Sequence, residues 1–376
     1  MSLEIIWNSP AYDPSGYASC ARDYILSLDK AGIKVKFEAV KFWSPISTPA
    51  TTNQEFRRLK ELEEVQVSEN CPHVTHMVPD LYKKRKDKHI PIGYTVFETD
   101  SLPEPWLEKM DLMKLIFVPC KFNYDTFTRA GFNKDKLRII PHIVNTERLD
   151  PNKHKSLSIP IQKKFYFLSI MDATFRKGWD VLLRSYLREF QNNNDVGLIF
   201  KGYFGGVTEN HKRKLIQKIK NFKDSLNVKN PPEIIFYGDI LDNDTICRLY
   251  KSTHCYVSST RGDGWNLPLS EALAMEIPSI ATNFGGQLEF MNESNSYLID
   301  VLEMREYGEE MTKITPNYKG QNFAEPSEVH LRQLMRHVYE NYDEAKNKAI
   351  KGRQDLIENF SWKLIIQKII NCLEEL

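Results

Sequence analysis

Short apolar runs alternate along the chain with longer stretches of helical periodicity, which is the pattern of repeated βα units. Residues 3–7 read as a strand, and residues 8–17 as a loop punctuated by Pro10, Pro14 and Gly16. Residues 18–31 have the repeat of a helix that stops at Gly32, and residues 33–37 return to strand. Residues 91–97 and 115–119 are continuously apolar, as parallel strands buried on both faces are. His73 and His76 fall in a loop-like stretch and read as ordinary surface or core residues. Residues 150–155 form a polar, Pro-containing linker, after which the alternation resumes. Strands are expected at 165–170, 196–201, 234–237, 255–258 and 279–281, and helices at 180–190, 209–222 and 244–250. The tail from Ser327 to Leu376 reads as mostly helical. The predicted fold class is α/β, with two Rossmann-like doubly wound domains facing across a cleft and ligands at the strand C-termini. The first domain is expected over residues 1–155 and the second over 156–355.

Charge and composition narrow the function. With 51 Lys plus Arg against 50 Asp plus Glu, the net charge of +1 disfavours nucleic acid or an anionic membrane as a bulk partner. A local basic site stays open. The one dense basic run is Lys83-Lys84-Arg85-Lys86-Asp87-Lys88, a solvated loop or a contact for an anionic acceptor or peripheral membrane surface. The six cysteines contain no C-x-x-C pair, so free thiols in a reducing compartment are expected. No apolar run approaches the ~20 residues of a membrane span. Met-Ser-Leu-Glu lacks the basic region of a secretory signal. A cytoplasmic location follows as the expectation.

The stretch richest in chemistry is Arg261-Gly262-Asp263-Gly264-Trp265-Asn266-Leu267-Pro268-Leu269-Ser270-Glu271-Ala272. It reads as a strand end, a glycine-bearing loop and a helix opened near Pro268. Loop amides and a helix N-terminus that point the same way suit a phosphate or sugar hydroxyl. Asp263 in the loop and Glu271 one turn into the helix can grip hydroxyls at the two ends of a nucleotide-sugar.

This segment resembles the acidic-x7-acidic signature of retaining glycosyltransferases of the group 1 type (family 4, GT-B fold), where it usually reads E-G-F-G-L-P-x-x-E-A. Phe175-Arg176-Lys177-Gly178-Trp179-Asp180 resembles the R-K-G loop of that family, and Ile139-Ile140-Pro141-His142-Ile143-Val144-Asn145 its strand end before the second domain. Ile280-Ala281-Thr282-Asn283-Phe284-Gly285-Gly286, Phe323-Ala324-Glu325-Pro326-Ser327 and Phe360-Ser361-Trp362 resemble its later elements. The resemblance implies a retaining, metal-independent transferase that moves a sugar from a nucleoside-diphosphate donor to a hydroxyl of a glycan, lipid or other acceptor, with no cofactor. Under it, Arg176 and Lys177 hold the diphosphate, Glu271 the ribose, and Asp263 with the amides of Gly264, Trp265, Asn266 and Leu267 the donor sugar. Gly238 and Ile240 would lie beside the base, and Gly16 would let the first βα loop approach a phosphate or acceptor. Residues 356–376 would form a helix crossing back to the first domain.

The sequence also departs from the family pattern. The first acid is Asp263 rather than Glu, Asn266 stands for a glycine, Met171 for an arginine, and His142-Ile143 for Asn-Gly. The usual first-domain histidine is replaced around Gly93-Tyr94-Thr95-Val96-Phe97-Glu98, where Glu98 is the candidate polar group at the reaction centre. Asp242-Asn243-Asp244 has the D-x-D spacing of a metal site but precedes a helix, where capping is the better account. The rival readings are a sugar transferase acting on a nucleic-acid base and a non-catalytic nucleotide-binding module.

Overall fold

The computed structural model describes residues 3–41 and 52–376. Contacts divide the chain into two compact units. One comprises Met1–Asn145, Leu241–Asn243 and Ile357–Leu376, and the other Thr146–Ile240 and Asp244–Leu356.

The first unit runs β1 (Glu4–Ser9), α1 (Gly16–Lys30), β2 (Lys34–Ala39), α2 (Asn53–Glu63), β3 (Pro72–His76), β4 (Ile90–Tyr94), α3 (Glu104–Asp111), β5 (Leu115–Val118), α4 (Lys121–Arg129) and β6 (Leu137–Ile139). All its strands are parallel, in the order β2-β1-β3-β4-β5-β6, so the order reverses between β1 and β3. Trp7 of β1 stands between Phe37 and Val74 in register and stacks on Tyr24 of α1 at 5.1 Å. The expected loop over 8–17 gives up its last two residues to α1. Ser15 accepts from the Ala18 amide at 3.2 Å and caps the helix, so Gly16 is its first residue.

The stretch of His73 and His76 is a strand rather than loop-like, and both side chains are in the core. They lie in β3, an interior strand, with exposures of 3% and 1%. Two histidines break the apolar pattern that marks a strand, yet His76 is accommodated by stacking on Tyr94 at 4.4 Å, with Trp7 edge-on at 5.8 Å.

The second unit continues with β7 (Phe165–Asp172), α5 (Trp179–Glu189), β8 (Val196–Tyr203), α6 (Glu209–Ser225), β9 (Glu233–Tyr237), α7 (Asn243–Lys251), β10 (Cys255–Ser258), α8 (Leu267–Ala274), β11 (Ser279–Thr282) and β12 (Tyr297–Ile299). Its sheet is also parallel, in the order β12-β11-β10-β7-β8-β9. Chain order reverses between β7 and β10, which is where a doubly wound sheet opens a crevice at its strand C-termini. One face is covered by Val181, Leu182 and Tyr186 of α5, which pack on Phe167, Leu198 and Phe200. On the other face Tyr256 meets Tyr250 of α7 at 6.2 Å.

An antiparallel pair absent from the sequence reading follows, β13 (Val301–Glu306) and β14 (Asn322–Pro326), joined through α9 (Gly308–Ile314). The tail is helical as expected: α10 (Glu328–Glu340), α11 (Tyr342–Phe360) and α12 (Trp362–Glu374). The division between units falls within α11, and residues 150–155 belong to the second unit. In the first unit α12 buries Ile365, Ile366, Ile369 and Leu373, and Lys30 of α1 lies 4.5 Å above the Trp362 ring. No helix among the described residues is long and apolar enough to cross a membrane.

Candidate functional site

The loops after β7 and β10 meet at the strand-order reversal of the second unit. Gly178 makes this possible. Its φ is +67°, and a Cβ there would stand 1.8 Å from the Ser259 carbonyl oxygen, so any other residue would push the two loops apart. The close approach lets the Arg176 guanidinium donate to the Gly262 carbonyl at 2.7 Å, while the Arg176 carbonyl accepts from the Arg261 amide at 2.7 Å. Gly286 is a second close approach, where a Cβ would meet the Gly264 carbonyl oxygen at 1.9 Å.

Asp263 organises the loop after β10. One carboxylate oxygen accepts from the Asn266 amide at 3.1 Å, and the other forms an ion pair with the Lys177 ammonium. Burial alone would raise the Asp263 pKa, but Lys177 and Arg176 outweigh it and hold the carboxyl below its ordinary value. Asn266 takes φ +73°, the left-handed conformation usual for glycine, and donates to the Ser258 hydroxyl at 2.9 Å. Leu267 then opens α8, with Pro268 in its first turn as the sequence suggested. Trp265 is buried against Phe290 at 5.1 Å, and Gly264 leads into it.

Glu271 faces out from α8 with its side chain about one fifth exposed. The Tyr250 hydroxyl lies 3.1 Å from its carboxylate, and Arg148 is 3.9 Å away. Both partners went unread in the sequence, since nothing local ties Arg148 or Tyr250 to Glu271. Gly238, at the end of β9, abuts the Phe236 ring, and Ile240 follows it half-buried.

Two further groups at this edge were missed. Arg261, 2% exposed, forms two-pronged contacts with Asp180 at 2.7 and 2.9 Å and with Glu325 at 2.7 and 3.1 Å, and it lies 3.8 Å over the Phe175 ring. Burial works against its charge, but the two carboxylates overcome this and raise its pKa. Its partners are 81 and 64 residues away, so only the fold reveals them. Asp172, the last residue of β7, has one buried carboxylate oxygen without a hydrogen-bond partner. Burial raises its pKa against the pull of Arg176, Lys177 and Lys218.

The remaining candidates are in the first unit. Gly16 begins α1, just beyond the C-terminal end of β1. Glu98 is half-buried in the loop between β4 and α3, and its charge helps to keep the buried Tyr17 hydroxyl protonated. Lys83, Lys84 and Arg85 line a cavity of about 410 Å³ with Glu38, His73 and Met113. Of the D-x-D residues, Asn243 is the first of α7, and Asp244 meets His154 at 3.1 Å. No cluster of three or more potential metal ligands occurs among the described residues.

The chain is 23% identical over 297 residues to an uncharacterized protein of Sulfolobus islandicus rod-shaped virus 1, covering 76% of each chain. A glycosyltransferase from Rickettsia africae has a similar structure, with a TM-score of 0.66 at 16% identity, covering 100% of this chain and 98% of that one. So does the Anabaena HepE protein in complex with UDP and glucose, with a TM-score of 0.61 at 12% identity and full coverage of both chains. At these identities the likeness carries the fold, two Rossmann-like α/β units of the kind found in GT-B glycosyltransferases. The family model described as Glycosyl transferases group 1 matches residues 162–316, the stretch that holds Arg176, Lys177, Asp263 and Glu271.

Proposed function

We propose that the protein is a glycosyltransferase that moves a sugar from a nucleoside-diphosphate donor to a hydroxyl acceptor, with retention at the anomeric carbon and without a metal. The carrying observation is the convergence of Arg176 and Lys177 with Asp263 and the α8 N-terminus at one strand-order reversal. Two cations beside loop amides suit a diphosphate, and a carboxylate such as Glu271 suits ribose hydroxyls. The group 1 family match supports the donor class.

In this reading the diphosphate displaces Asp263 from Lys177, and the freed carboxylate turns to the donor sugar. The bond from the anomeric carbon to the β-phosphate oxygen breaks as Arg176 and Lys177 take up the negative charge that develops. The acceptor oxygen bonds to the anomeric carbon from the same face, and its proton passes to the departing phosphate. Glu98 is assigned to the reaction centre and Gly16 to the approach of backbone to the donor. Acceptor recognition is assigned to the segment of roughly residues 40–90, of which 42–51 lie outside the described residues. The basic residues Lys83, Lys84 and Arg85 there suit an anionic acceptor, whether glycan or lipid headgroup.

The test supplies UDP- and GDP-hexoses with α-anomeric configuration in the presence of a chelator and follows the released nucleotide and the product anomer by proton NMR. Nucleotide release with an α-configured product is expected. A β-configured product would reject retention, and dependence on added divalent metal would reject the metal-free mechanism.

A further inference from the structure

Lys201 is a charged residue in an interior strand. It lies in β8, with Ile170 of β7 and Tyr237 of β9 as register partners, and is 6% exposed. Leu198 and Phe200 belong to the core beneath α5, so alternation puts Ile199 and Lys201 on the opposite face. That is also the face of Tyr256 and Tyr250, and Tyr250 contacts Glu271.

Lys201 forms no hydrogen bond or ion pair among the described residues. The carboxylate whose charge it feels, Asp239, is paired with Lys212. Burial lowers the Lys201 pKa to about 8, with Asp239 opposing the shift and Lys212 adding to it. Arg176 and Lys177 act instead on Asp172 and Asp263. Lys201 therefore sits on the β9 side of the strand-order reversal, level with Tyr237, the residue before Gly238.

An ammonium carries three donors and no acceptor, and a largely buried lysine without a protein partner keeps only part of its hydration, which is unfavourable. A ligand that brings an acceptor would relieve it. We propose that Lys201 reads the nucleotide base, donating to a ring carbonyl oxygen of the uracil or guanine kind and so selecting such a base over adenine. Adenine has an amino donor where these bases have a carbonyl. The proposal rests on the nucleoside-diphosphate reading above.

Calorimetric titration of UDP, GDP, ADP and inorganic pyrophosphate into the full chain tests it, comparing wild type, Lys201→Met and Lys177→Ala. Wild type should bind UDP or GDP at least about tenfold more tightly than ADP. Lys201→Met should lose about tenfold for that nucleotide while ADP and pyrophosphate change less than about twofold. Lys177→Ala should weaken all of them, pyrophosphate included. Lys201→Met should also unfold at a higher temperature than wild type, because an apolar side chain of similar length replaces an unpaired charge. If Lys201→Met does not fold, Lys201→Gln keeps a donor and is expected to retain part of the preference. A preference over ADP that stays as large in the variant as in wild type overturns the proposal, as does an equal loss for pyrophosphate, which would place Lys201 on the diphosphate. Failure of wild type to bind any of the four would overturn the nucleoside-diphosphate reading itself, and Lys201 with it.

Discussion

In the first unit, the strand-order reversal between β1 and β3 holds a cluster of aromatic and imidazole rings, with the buried Arg22 guanidinium donating to the Ala11 and Asp13 carbonyls of the adjoining loop. Trp7, Tyr24, His76, Tyr94 and His142 surround one another, with the Tyr24 and Tyr94 hydroxyls 2.5 Å apart and Tyr94 3.0 Å from His142 Nδ1. In the second unit, the reversal between β7 and β10 holds Arg176, Lys177, Asp263, Arg261 and Asp172, with Lys201 one strand away. The backbone plan is the same, but rings dominate the first edge and ion pairs the second. An aromatic edge gains stability from burial and mutual hydrogen bonds. A charged edge holds its ions poised, some against each other and some unpaired, which suits binding a charged ligand more than it suits stability.

The sharpest way to break this contrast is to remove the structural cation of the second edge. Arg261→Met leaves the buried Asp180 with only Arg184, 3.4 Å away, and the partly buried Glu325 without its cation, at an expected destabilisation of about 3 kcal/mol. Denaturant unfolding measures it, and a change under about 1 kcal/mol would show that the network is dispensable.

The first edge should be acid-sensitive instead. Burial, helped by the charge of His142, holds the His76 pKa well below 6.5. The unfolded chain takes up a proton near pH 6.5 and the folded one does not, so stability falls as pH drops below that value. The loss reaches about 2 kcal/mol near pH 5. His76→Phe keeps the stack on Tyr94 and removes the titration, so its stability should change less between pH 6.5 and 5 than that of wild type. Identical slopes would remove His76 as the cause.

The smallest expected effect lies at Asp172. Asp172→Asn removes a carboxylate that faces Arg176 and Lys177 and should tighten nucleoside-diphosphate binding by about twofold to threefold. Weaker binding would mean that Asp172 positions the cations rather than competing for them.

What could be read from the chain follows the same division. Strands with unbroken apolar runs were legible, β5 and β10 among them, and so were the loops with glycine and proline at fixed offsets around Arg176 and Asp263. β3 was not, because His73 and His76 interrupt its apolar pattern, and the aromatic partners of His76 come from β1, α1 and β4. β13 was hidden for a different reason, since its side chains are mostly exposed and its register is set by pairing with β14. The order of site residues was visible, but Arg148 beside Glu271 and the Asp180 and Glu325 clamps on Arg261 arise only when distant segments fold together. Lys201 left a trace that passed unread, a lone charge inside Gly-Leu-Ile-Phe-Lys-Gly-Tyr.

The most direct measurement is a calorimetric titration of UDP and GDP into wild-type protein, Lys177→Ala and Glu271→Ala. Wild type is expected to bind one of the two nucleotides, and each substitution to weaken that binding by about tenfold or more. Unaltered affinity in both variants would contradict the assignment of the charged edge of the second unit as the nucleotide site.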